Sequence, residues 1–109
     1  MSIAEGVYRL TAGFPKDEVY GMTSQIRRSA ASIAANIAEG HGREGSASFI
    51  QFLRISQGSL KELETHLLLA VRVGIVQASE IDPFLVQCDE LGRMLRSLIR
   101  AIQRKQSHD

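Results

Sequence analysis

The sequence predicts an all-α fold, an antiparallel up-and-down four-helix bundle with a short first helix, and three observations predict it. Apolar residues recur at steps of three and four through the long segments, the spacing of one helix face. Two prolines and nine glycines punctuate the chain between these stretches. No stretch alternates with period two, and no Asn-Gly or Asp-Gly hairpin signal occurs. With short connections, neighbouring helices run antiparallel.

The first helix is expected over residues 2–12, closed by Gly13-Phe14-Pro15. The second, over 22–40, carries Met22, Ile26, Ala30, Ile33 and Ile37, and gives way to a glycine-rich run from Gly40 to Gly45. The third, over 46–73, starts at Ser46 as N-cap and carries Phe49, Leu53, Ser56, Leu60, Leu63 and Leu67 before Gly74. The fourth, over 83–104, carries Phe84, Cys88, Leu91, Leu95, Leu98 and Ile102. Asp82 is its expected cap, because proline prefers the first helical position and keeps the preceding residue out of helical angles.

A chain of 109 residues makes a single domain, residues 1–109, able to bury a core without staples. Aromatic residues are 6% with no Trp, so that core is aliphatic. Cys88 is the only cysteine, which excludes an intrachain disulfide. The longest apolar run, Leu67 to Val71, is five residues, far short of a membrane span. Residues 1–5 lack the basic start and apolar stretch of a signal peptide, so the expected location is cytoplasmic, with no membrane partner. A net charge of +1 announces neither nucleic acid nor membrane by itself.

Two features predict a homo-oligomer. The third helix is apolar on more than one side, with Ile55, Leu69 and Val73 opposite its main stripe, and a helix apolar nearly all round is buried on both sides. The first helix reaches only ~16 Å against ~40 Å for the third, so part of the groove beside it stays open. The second helix adds a small-residue flank, Ala31, Ala34, Ala35 and Ala38, that fits a close neighbour from the same chain or another.

Three stretches resemble a known family. They are Phe14-Pro15-Lys16-Asp17-Glu18, the run Tyr20-Gly21-Met22-Thr23-Ser24-Gln25-Ile26-Arg27-Arg28, and Ser32-Ile33-Ala34-Ala35-Asn36-Ile37-Ala38-Glu39-Gly40. Phe52-Leu53, Gly58 to Glu64, and Asp89-Glu90-Leu91 through Leu98-Ile99 extend the likeness. The chain is identified as a member of the bacterial 23S rRNA intervening-sequence proteins. The resemblance implies a closed four-helix bundle assembled as a homo-oligomeric ring, most often a pentamer. No enzymatic activity is associated with the family, and no cofactor is expected. Some relatives are encoded within rRNA genes; others are accessory proteins of retroelements that bind nucleic acid and a reverse transcriptase. Two departures stand out: the first helix lacks a Trp-Gln-Lys-like stretch, and Ala34 stands where Pro is common.

The basic residues then divide into candidate roles. Arg93, Arg96, Arg100, Arg104 and Lys105 end the fourth helix with no acid between Leu91 and His108. At the helical repeat the four arginines spread over about 80° of one flank. Such a stripe neutralises phosphates; equally, it is a solvated face complementing the helix dipole, with Asp82, Asp89 and Glu90 in the opposite half. Arg54, Lys61 and Arg72 form a second stripe, expected to be solvated and paired with Glu62 and Glu64. Arg28, Asn36 and Glu39 share a flank of the second helix and are candidates for a subunit or helix–helix seam. Gly40-His41-Gly42-Arg43-Glu44-Gly45 spells G-x-G-x-x-G, but a helix precedes it where a dinucleotide fingerprint needs a strand. It is expected to be a flexible connection that touches a partner through His41 or Arg43.

No metal site is expected: Glu62 and His66 stand four apart rather than three, and no second such pair exists. No nucleophile–base arrangement is visible. The expected function is therefore non-enzymatic nucleic-acid binding, RNA foremost and DNA as the variant, by basic stripes repeated around a ring. The alternative is a protein-binding scaffold, an accessory subunit of a nucleic-acid enzyme.

Overall fold

A computed structural model describes residues 2–18 and 21–107. Met1, Tyr20 and His108, which entered the sequence reading, lie outside the described residues. Four helices follow one another, α1 (Ile3–Ala12), α2 (Met22–His41), α3 (Ser46–Arg72) and α4 (Ala78–Ser107), and the described residues contain no strand. None of the helices is long and apolar enough to cross a membrane.

Local chemistry sets most boundaries. Ser2 caps α1: its Oγ accepts from the Glu5 backbone N–H at 3.2 Å and donates to the Glu5 carboxylate at 3.3 Å. At the start of α2 the Glu18 carboxylate accepts from the Thr23 backbone N–H at 2.9 Å. Gly45, rather than the expected Ser46, occupies the N-cap of α3, and its carbonyl accepts from Phe49 N–H at 3.3 Å. The end of α3 is a Schellman motif. Gly74 at φ 80° donates to Val71 O at 3.1 Å, and Ile75 donates to Ala70 O at 3.0 Å.

The fourth helix corrects the sequence expectation by five residues, starting at Ala78 rather than at Pro83. Its first turn is held by Glu80, whose carboxylate accepts from Gln77 N–H at 2.9 Å while its own N–H donates to Gln77 O at 3.0 Å. Pro83 sits inside α4 and leaves Ser79 C=O without its helical donor. Ser79 and Pro83 are both exposed, so that carbonyl is at the solvent-facing side of the helix. The extra turn buries Ile81 to 1% exposure, which offsets the proline.

Spatial order follows chain order: α1 packs on α2, α2 on α3, α3 on α4, and α1 closes against α4. The core runs along α3 through Leu53, Leu60, Leu63, Leu67 and Ala70, met by Ile26, Ala30 and Ile33 from α2 and by Cys88, Leu95 and Ile99 from α4. Where α2 meets α3 the buried positions are small, Ser29, Ser56 and Ser59. Ser56 Oγ donates to Ile33 O at 2.9 Å, and Ser32 and Ser59 hydroxyls meet at 2.8 Å. Ten-residue α1 covers only one end. It is seated by Gly6 against Phe84, where a Cβ would fall 2.5 Å from the ring, and by Arg27, whose Nε donates to Thr11 Oγ1 at 2.8 Å. Beyond it Ala34, Ala35 and Ala38 of α2 are exposed, as are Met94 (66%) and Leu98 (38%) of α4.

Two helix-interior glycines should therefore respond oppositely to alanine. A Cβ at Gly40 would fall 2.8 Å from the Phe52 Cβ, whereas one at Gly58 meets nothing within 4 Å. Gly58→Ala should raise stability by about 1 kcal/mol through helix propensity, and Gly40→Ala should lower it. Urea denaturation midpoints at unchanged m-value check both signs.

Candidate nucleic-acid interface

The fourth helix presents Arg93, Arg96, Arg100, Arg104 and Lys105 as exposed residues, Arg104 and Lys105 within its last turn. Arg93 is engaged with Asp89 at 3.0 Å, one turn earlier. Both side chains are well exposed, so this pair is weak. Arg96, Arg100 and Arg104 have no ion pair among the described residues.

The antiparallel packing of α3 and α4 brings in one residue assigned differently from sequence. Leu53 and Leu60 of α3 and Leu95 and Ile99 of α4 point into the core, which sets the next positions of each helix along the rim of their seam. Arg54 and Gln57 of α3 line a groove of about 280 Å³ together with Arg96, Ile99, Arg100 and Gln103 of α4. Three guanidinium groups and two amides converge there, and no carboxylate lines it. Arg54 was expected to be a solvated partner of nearby acids, but Glu62 turns the other way, to Arg28 of α2 and to His66 Nε2 at 3.7 Å. Glu64 takes Lys61 at 3.6 Å. Arg54 is thus without an ion pair among the described residues. Arg72 lies apart, with Asp82, on an apolar groove of α3 and α4 that includes Leu68, Val71 and Leu85.

The flank of α2 proposed as a seam is occupied within the chain. Arg28 bonds Gln25 Oε1 at 2.8 Å and the Glu62 carboxylate across the α2–α3 packing. Asn36 Nδ2 donates to Ser32 O at 2.8 Å, and Glu39 pairs with Arg43. Ile55 (44%), Leu69 (41%) and Val73 (41%) are exposed on α3 away from its packed face.

The glycine-rich loop departs from its expected freedom. His41 stacks on Phe49 at 5.6 Å between ring centroids, and Arg43 lies over the Phe52 ring at 5.1 Å. Aromatic contacts of this kind hold the connection against α3.

The class these features define is a helical bundle whose α3–α4 seam carries a carboxylate-free arginine groove. The sequence model of the 23S rRNA-intervening sequence protein family matches residues 1–97, and the chain belongs to that family. Among solved structures it is similar to a protein of unknown function from the S23 ribosomal protein family of Bacteroides thetaiotaomicron VPI-5482. The two share 28% identity at a TM-score of 0.75, over 89% of this chain and 87% of that one. Curated proteins give no match.

Cys88, beside the seam, is fully buried. Burial pushes its thiol from 9.0 up to about 12, with Glu64 adding to the rise and Lys61 opposing it. The unfolded chain gives up this proton near 9.0 and the folded chain only near 12. The associated stability is therefore complete below 9.0 and declines as pH rises toward 12. Thermal melts taken upward from neutral pH should show a steeper loss for the native chain than for Cys88→Ala.

Proposed function

We propose that this chain is a non-enzymatic, RNA-binding subunit of a homo-oligomeric ring, a pentamer by family resemblance, working in the cytoplasm without a cofactor. The observation that carries the binding role is the convergence of Arg54, Arg96 and Arg100 on one carboxylate-free groove, continued along α4 by Arg104 and Lys105. Guanidinium forks match phosphate oxygens, and cations without a competing acid are available to a polyanion. Arg54 from one helix and Arg100 from the next would take phosphates from both sides of the seam. Assembly is supported by Ile55, Leu69 and Val73, exposed on the outward face of α3. A ring would repeat the seam once per subunit and raise affinity through multivalency.

A second reading, an accessory subunit that docks a protein partner such as a nucleic-acid enzyme, draws on Met94 and Leu98, exposed on α4. Recovery of one protein after nuclease treatment, lost in Met94→Lys, would favour it.

Two outcomes test the leading reading. Titration of a labelled single-stranded RNA at several salt concentrations should give a log–log slope of about −3 for some four phosphates per chain. Arg96→Glu with Arg100→Glu should reduce that slope by about 1.5 and weaken binding, at unchanged oligomer mass. Native mass spectrometry of the 12.0 kDa chain should show a multiple of that mass, reduced to monomer by Leu69→Asp with Val73→Asp.

A further inference from the structure

The arginine groove does not end at Arg96. Gln57 and Arg96 also line an adjoining cavity of about 260 Å³ between α3 and α4. Its walls carry Lys61 and Glu64 from α3 and Asp89 from α4, and its floor is Leu60, Cys88 and Gly92. One cleft therefore has a purely cationic end and an end where carboxylates are within reach. That division matches a nucleotide, which joins an anionic phosphate to a base edged with N–H donors.

We infer that this cavity is a base pocket, and that it receives an unstacked guanine of single-stranded RNA whose phosphate lies on Arg54 and Arg100. The inference rests on the RNA-binding reading of the seam. Gly92 opens the space. It is buried within α4, where glycine costs helix stability, and a Cβ there would already reach Leu60 Cδ2 at 3.5 Å and Arg96 Nη1 at 3.4 Å. A larger side chain would enter the cavity. The Arg96 guanidinium beside Gly92 offers a planar face for stacking, the common way proteins hold splayed-out RNA bases.

Glu64 sets the choice of base. It faces the cavity closely enough to oppose ionisation of the Cys88 thiol on the floor. Its own cation, Lys61, stands 3.6 Å away with a 76% exposed side chain, a loose pair that readily yields. Asp89 is turned outward, its side chain 60% exposed beside Arg93, whereas the Glu64 side chain is only 26% exposed and is the acceptor held against the cavity. Guanine is the base whose Watson–Crick edge presents N1–H and N2–H side by side, as a carboxylate requires for a two-pronged bond. Uracil, cytosine and adenine do not present that pair.

The experiment compares a labelled oligouridine with the same RNA carrying one central guanosine, both titrated by anisotropy with the full chain at fixed salt. The guanosine RNA should bind about tenfold tighter, the discrimination of one good bidentate contact. Glu64→Gln should abolish the difference while leaving oligouridine affinity in place. The Arg54→Gln, Arg100→Gln variant should weaken both RNAs together. Equal affinity of the native chain for two RNAs that both bind overturns the base pocket and leaves the seam standing. Retention of the guanosine preference in Glu64→Gln overturns the pocket's acceptor. Binding of neither RNA overturns the seam and the pocket with it. In a ¹⁵N-correlated NMR spectrum, guanosine 5′-monophosphate should shift the Gly92 amide more than adenosine 5′-monophosphate does, and equal shifts also overturn the choice of base.

Discussion

Everything in this bundle hangs on α3. The Cα atoms of α2 and α4 nowhere come within 8 Å of each other, so the two helices are related only through α3 on one side and short α1 on the other. The two faces of α3 achieve this differently. Toward α2 it presents serines, and the small side chains let two backbones approach while hydroxyls bond across the gap at Ser56–Ile33 and Ser32–Ser59. Toward α4 it presents branched aliphatics that interdigitate with Leu95 and Ile99. A slip of α3 along α4 would separate Arg54 from Arg100, so the electrostatic seam inherits its geometry from an apolar register.

Which parts of this were legible in the sequence follows from how local each signal is. The rows Met22–Ile26–Ala30–Ile33 and Leu53–Leu60–Leu63–Leu67 repeat at the helical period, and they are the buried rows. The start of α4 was misplaced because proline chemistry near Pro83 is a strong local rule, while the competing Glu80–Gln77 cap and the burial of Ile81 required knowing where α3 lay. The loop after α2 looked free because G-x-G-x-x-G reads as flexible, yet His41 and Arg43 each find an aromatic ring of α3. Phe49 and Phe52, three apart at the start of α3, were the available signal.

The candidate site was legible by half for the same reason. The arginines of α4 share one flank by periodicity alone, so their grouping needed no partner helix. Arg54 needed one: its placement depends on which α3 flank meets α4. The acids nearest it in sequence suggested pairing, but Glu62 belongs to the α2 side with Arg28. Net charge was equally uninformative, since +1 over the chain conceals acids gathered in the first half of α4 and arginines in the second. The distribution, not the sum, makes a surface attractive to phosphate.

The position of the seam relative to α1 ties stability to binding. Through Gly6 and Arg27, α1 covers the end of the bundle formed by the start of α2 and the first turns of α4. Arg54, Arg96 and Arg100 lie toward the opposite end, where three helices stand without a fourth and Met94 is exposed. Without α1 over it, that end has less apolar packing to hold it shut than the end under α1. Its three guanidinium groups also repel one another across the groove, which sets α3 against α4 where no α1 restrains them. Under the proposed function, a phosphate held between Arg54 and Arg100 would reverse that repulsion and link the two helices. Such binding would stabilise the folded chain in proportion to its preference for the closed seam. The feature that weakens the free bundle is thus the one that would give a polyanion its differential affinity.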